Sequence, residues 1–98
     1  MIEITMKKIG IDVIGHSGYA ESGKDIVCAG VSTLLQTLIR SLEHLAGDKI
    51  EYSLNSGAGI LKWKNLSEQG KLLIDSFFIG ACMMADAYPD NVQIGGDP

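Results

Sequence analysis

Between Asp25 and Ala46 the apolar residues Val27, Val31, Leu34, Leu35, Leu38, Leu42 and Leu45 recur at steps of three and four. At that period side chains line one face of an α-helix. A face so continuous has to be covered, so the chain needs a second layer. Its 98 residues allow one core and one domain, spanning residues 1–98. Asp25 stands where a cap is expected, and Gly47 is the terminator. The second layer reads as two pairs of alternating segments. Ile2, Ile4 and Met6 alternate with Glu3, Thr5 and Lys7, and Ile9, Ile11 and Val13 with Gly10, Asp12 and Ile14, a hairpin turning near residues 7–10. Ile50, Tyr52 and Leu54 then alternate with Glu51, Ser53 and Asn55. The turn NSGAG follows, and Leu61 and Trp63 alternate with Lys62 and Lys64, a second hairpin. A second helix is predicted from about Ser67, its cap, to Tyr88, ahead of Pro89. It carries Leu72, Leu73, Phe77, Ile79, Cys82 and Met83, with Cys82 expected in the core. The tail NVQIGG leaves room for a short last strand. The fold class expected is therefore α+β: a small antiparallel β-sheet of two hairpins plus that strand, with two long helices packed on one face.

Charge narrows the function. The formal net charge is -4, and no run of Lys and Arg is present along the chain, so no direct nucleic-acid partner is expected. The opening MIEITMKKIGIDVIG is interrupted by charged residues. It lacks the unbroken apolar stretch of a signal peptide or membrane span, so no membrane partner is expected and the location expected is cytoplasmic. Cys28 and Cys82 are far apart and belong to different segments. That argues against a disulfide framework or a C-x-x-C metal site, and no metal or cofactor is expected.

Residues 15–28, GHSGYAESGKDIVC, invite two incompatible readings. GYAESGK satisfies G-x-x-x-x-G-K, the pattern of a phosphate-binding loop, but the next residue is Asp25, where the metal-holding Ser or Thr belongs. A carboxylate there repels phosphate, and no apolar run ending in Asp supplies the second metal position, so the match reads as chance. The other reading pairs His16, at the end of a strand, with Cys28, in the first turn of the long helix. A helix start favours a thiolate and offers free N–H groups to an oxyanion. Nucleophile, base and oxyanion donors would then come from one segment. The plain alternative is an inert cysteine and a surface histidine.

The neighbours also have two readings each. Asp25, three residues before Cys28, caps the helix or assists the site; if it takes the Cys28 N–H, that donor is lost to an oxyanion. Ser32, four residues after Cys28, shares its face or bonds back to the Cys28 carbonyl. Lys24 is a loop charge or a site residue, and His44 suits the C-terminus of the first helix. The loop of Ser17, Gly18, Tyr19, Gly23 and Lys24 has an exposed, adaptable composition suited to binding substrate and gating the site.

Gly15-His16, a short glycine-containing loop, then Asp25-Ile26-Val27-Cys28-Ala29 with Ser32 beyond, resembles the signature of the ribosomal-processing cysteine protease family, Prp. The likeness runs along nearly the whole chain, down to YPDNV after the second helix. It implies a catalytic dyad of His16 as general base and Cys28 as nucleophile, with Asp25 and Ser32 as supporting positions and a mobile loop between the dyad residues. It implies removal of an N-terminal extension from a precursor, a large-subunit ribosomal protein, and a homodimer. The segments SLEHL, DKIEYSL and LLIDSFFIGACMMADAYP resemble a phage- or prophage-borne branch as well, for which the precursor would be a phage structural protein. The competing function is a non-catalytic peptide-binding or redox-sensing regulatory domain using the same thiol; a further one is another thiol enzyme, such as an acyl transferase.

Overall fold

A computed structural model describes residues 1–21 and 23–96. Five strands and two helices follow in the order β1 (Ile2–Lys7), β2 (Gly10–Ile14), α1 (Ile26–His44), β3 (Ile50–Asn55), β4 (Ala58–Trp63), α2 (Glu68–Ala87) and β5 (Val92–Gly96). Both hairpins form as the alternation predicts, and β2 pairs antiparallel with β4 to join them into one sheet of order β3-β4-β2-β1-β5. The last strand departs from expectation. β5 lies parallel to β1, Ile2 opposite Val92 and Ile4 opposite Ile94, so the sheet is mixed rather than antiparallel. A two-residue turn forces antiparallel pairing, whereas a strand that returns after a 20-residue helix is under no such constraint.

Register decides which face is buried. Ile2, Ile4, Ile11, Leu61, Trp63 and Val92 point to one side and enter a single apolar cluster with Val27, Val31, Leu35, Leu38, Ile39 and Leu42 of α1 and Phe77 and Ala81 of α2. Burying an aliphatic side chain of this size stabilises by roughly 1.5–3 kcal/mol, so this cluster sets the register. By length and composition α1 is apolar enough to cross a membrane, yet its apolar stripe is the one that covers the sheet. The helices touch through small residues: a Cβ on Gly30 would lie 2.9 Å from Met84 Cε, and one on Gly80 2.7 Å from Leu34 Cδ2. Cys82 falls beside this seam rather than in it and is half-exposed. The expectation of a core cysteine is thus corrected: the inward face of α2 is set by Gly70, Phe77 and Ala81, and Cys82 lies about 100° round the helix from Ala81.

Both helix starts are capped by their own side chains. Ser67 Oγ accepts the Gly70 N–H at 3.0 Å and donates to Asp48 Oδ2 at 3.0 Å. The end of α1 is closed by Gly47 at φ +67° and by the Asp48 N–H donating to the Leu42 carbonyl at 2.9 Å.

Candidate active site

One end of the sheet gathers the close of β2, the turn between β3 and β4, the approach to β5 and the start of α1. His16 leaves β2 there and is exposed. The Gly15 N–H donates to the Gly57 carbonyl at 2.8 Å, and the Met1 nitrogen donates to the His16 carbonyl at 2.5 Å. The imidazole lies over Gly57, where a Cβ would come within 2.7 Å of Nε2. Cys28 sits in the first turn of α1, half-buried against the core. The backbone N–H of Ser17, the residue after His16, points at Cys28 Sγ across 3.4 Å. The fold thus brings the His16 backbone and the thiol together, although among the described residues no hydrogen bond joins imidazole and sulfur.

Ser17 differs most from its expected role. Its sequence context predicts an exposed position in a substrate loop, but it is 2 % exposed, the one buried polar side chain among the described residues. Its hydroxyl donates to Asp25 Oδ2 and accepts the Tyr19 N–H at 3.1 Å. Its carbonyl accepts from Asn91 Nδ2 at 2.9 Å. A buried hydroxyl and carbonyl need such partners, because leaving either unpaired is costly. Ser17 therefore anchors the loop.

Asp25 acts as the cap. Oδ1 accepts the N–H groups of Val27 at 3.0 Å and Cys28 at 2.9 Å, while Oδ2 takes the Ser17 hydroxyl and the Ala20 N–H at 3.4 Å. The Ala29 N–H is held by the Asp25 carbonyl at 3.1 Å. The donors expected to await an oxyanion at the start of α1 are thus committed to Asp25. The same bonds, the Ser17 hydroxyl first and the Cys28 N–H next, lower the Asp25 carboxyl from its ordinary 3.8 to about 2. A depressed carboxylate contributes stability in full above its unfolded value and loses it as pH falls through the folded one. The loop and helix start are therefore expected to weaken between pH 3.8 and about 2. An Asp25→Asn protein, which keeps a capping side chain without the charge, should lack that acid step. Acid titrations of both proteins followed by amide hydrogen exchange at Val27 and Cys28 check this, and identical acid profiles would contradict it.

The remaining loop positions stay at the surface. Gly18 and Gly23 adopt φ of +69° and +87° with open space around them. Tyr19 stacks edge-on against Tyr88, centroids 5.4 Å apart, which fastens the loop to the end of α2. Lys24 pairs with Glu21 at 3.5 Å and is solvated. Ser32 is not drawn into the site. It is exposed and accepts from Gln36 Nε2 at 2.8 Å, while the back-bond expected of it is made by Thr33 to the Ala29 carbonyl at 2.8 Å. Gly57, Tyr88 and Asn91 had no place in the sequence reading of the site. The turn signal at Gly57 and the break at Pro89 are legible, but nothing in them says that Gly57 meets His16, Tyr88 meets Tyr19 and Asn91 meets Ser17.

Two open clefts of about 610 and 440 Å³ lie at the opposite end of the sheet, sharing Ile9, Trp63, Lys64 and Asn65. Lys7, Lys8, Lys49, Lys62 and Lys71 also line them, a gathering invisible along the sequence. It is offset by Asp48, Glu51 and Asp75 in the same walls and by ion pairs from Lys7 to Asp12 and Lys71 to Glu68. Neither cleft reaches Cys28.

The sequence model of a family described as cysteine protease Prp matches residues 1–93. The ribosomal processing cysteine protease Prp of Bacillus subtilis strain 168 is 22% identical over an alignment of 107 residues, covering 96% of each chain. The protein of that name from Staphylococcus aureus strain Mu50 is 23% identical over 100 residues, covering 95% of this chain and 94% of its own. Among solved structures, the S. aureus ribosomal processing protease Prp with a covalently linked product peptide superposes with a TM-score of 0.94 at 18% identity, over 99% of this chain and 100% of that one. SMU.848 from Streptococcus mutans does so with a TM-score of 0.79 at 28% identity, over 97% and 90%.

Proposed function

Because this chain belongs to the Prp family of cysteine proteases, we propose that Cys28 and His16 are its nucleophile and general base, and that it removes an N-terminal extension from a precursor protein. The observation that carries this reading is the Ser17 N–H directed at Cys28 Sγ, which ties the histidine's own backbone to the thiol. In the cycle, the Cys28 thiolate adds to the scissile carbonyl and the carbonyl π pair moves onto oxygen. Collapse of that oxyanion breaks the C–N bond as the His16 imidazolium gives its proton to the leaving amine. His16 then takes a proton from water, the hydroxide adds to the thioester, and the thiolate leaves.

Relatives named for ribosomal processing support a large-subunit ribosomal protein as the precursor. A cytosolic setting follows from such a substrate, with no nucleic acid or membrane partner required. Leu72, Ile79 and Met83 on α2 are exposed, and their spacing of seven and four puts the three on one helix face, the apolar stripe that a second copy of the chain would cover in the proposed homodimer. The test offers the protein a panel of ribosomal and phage structural precursors and reads truncation by intact mass, with sedimentation of the same sample reporting the dimer. Shortening of a ribosomal precursor at one N-terminal position is expected. Shortening of a phage precursor alone would move the substrate assignment, and an uncut panel would remove it.

A further inference from the structure

With Asp25 holding the Val27 and Cys28 N–H groups and its carbonyl holding that of Ala29, negative charge at Cys28 needs another donor. The Ser17 N–H, 3.4 Å from Sγ, is directed at the thiol. Its direction depends on how the flanking peptide groups are held. On one side the His16 carbonyl is tied to the Met1 nitrogen. On the other, the Ser17 carbonyl is tied to Asn91 Nδ2 at 2.9 Å, across 74 residues of sequence. Asn91 is itself fixed: it lies half-buried in the turn between α2 and β5, its N–H donating to the Tyr88 carbonyl at 2.9 Å and its carbonyl accepting from the Ile2 N–H at 2.8 Å. The Ser17 side chain is occupied with Asp25, so the hydroxyl, carbonyl and N–H of that residue are all engaged while Asn91 holds.

From this arrangement we infer that Asn91 is a positioning residue for the nucleophile, clamping Ser17 so that its N–H stabilises the Cys28 thiolate and then the oxyanion formed beside it. The inference deepens the protease reading and rests on it for the oxyanion step. When the thiolate adds to a carbonyl, sulfur becomes a neutral thioether and the charge moves to the adjacent oxygen. A donor aimed at the sulfur beforehand needs only a small shift to follow that charge, and such preorganisation is what lowers the barrier. Asn suits the position because its amide donates in a fixed plane without adding charge next to the thiolate.

The test reads the thiol before it reads catalysis. Iodoacetamide is applied at pH 7 to wild type and Asn91→Leu, which keeps the size of the side chain but removes the donor, and both cysteines are followed by mass spectrometry. Cys28 alkylation should slow roughly three- to tenfold, since the lost bond lowers the thiolate fraction while the remaining thiolate becomes more nucleophilic. Cys82 should be unchanged. General loosening would instead accelerate Cys82, so the two thiols in one molecule separate positioning from instability. A second measurement needs no variant at position 91: the Ser17 amide resonance of the native protein should move when iodoacetamide caps Cys28, because the thioether is a far weaker acceptor. An unmoved Ser17 amide, or Cys28 alkylation in a folded Asn91→Leu protein at the wild-type rate, overturns the inference. With a cleavable precursor, Asn91→Leu should lower kcat about ten- to a hundredfold with KM little changed. Slowed alkylation in a protein that cuts nothing would retain the clamp and reject the protease assignment, whereas full turnover in Asn91→Leu would reject the clamp.

Discussion

Cys28→Ala is expected to lower turnover of a cleavable precursor on the order of 10⁴- to 10⁶-fold, and His16→Ala to do nearly as much. The sizes are alike because the two groups act as a unit: a thiol without its base attacks slowly, and a base without a nucleophile has nothing to activate. The double variant should therefore be about as slow as either single one, far from the product of the two losses. Neither change should disturb the fold. His16 is exposed, and Cys28 lies at the margin of the cluster led by Val27 and Val31 rather than at its centre. The measurement is single-turnover cleavage by the four proteins, with thermal melts alongside. A His16→Ala protein retaining a tenth of wild-type activity would show that the base lies elsewhere, and a Cys28→Ala protein that still cuts would end the thiol mechanism.

The elements of this fold were legible wherever one face of a segment is buried. Ile2, Ile4 and Ile11 alternate because every second residue enters the core, and Val27, Val31, Leu35, Leu38 and Leu42 keep helical period for the same reason. Legibility failed where a contact depends on which surfaces meet. The direction of β5 is fixed by how α2 returns the chain to the edge of β1, and a five-residue strand carries no periodic signal for its direction. The site divides along the same line. Asp25 could be foreseen as a cap because capping is local, within three residues of Cys28. Ser17 could not be foreseen as buried, since its composition is that of a loop and its burial comes from Asp25 and from Asn91 at the far end of the chain. The same physics accounts for Ser32, whose hydroxyl finds Gln36 on its own helix instead of the thiol's turn.

Gly57 is where the hairpin between β3 and β4 touches His16, the proposed general base, and Gly57→Ala is expected to cut kcat about a hundredfold, the loss that a displacement near 1 Å of a reacting group produces. The new methyl would lie 2.7 Å from His16 Nε2 and 3.1 Å from Cε1, closer than carbon and nitrogen can sit. His16 is exposed at the end of its strand, so the ring gives way rather than the sheet. The substitution also carries a cost unrelated to the ring, because φ at Gly57 is +73° and a side chain there is strained by about 1–2 kcal/mol. Gly47→Ala isolates that cost. Gly47 has φ +67° with nothing within 4 Å of the added methyl, and it lies in the lining of the larger cleft at the far end of the sheet. Both variants should melt earlier than wild type by similar amounts, and only Gly57→Ala should lose turnover. Equal losses of activity at positions 47 and 57 would trace the effect to strain, and full activity in Gly57→Ala would mean that the imidazole works from a position other than the one it holds over this glycine.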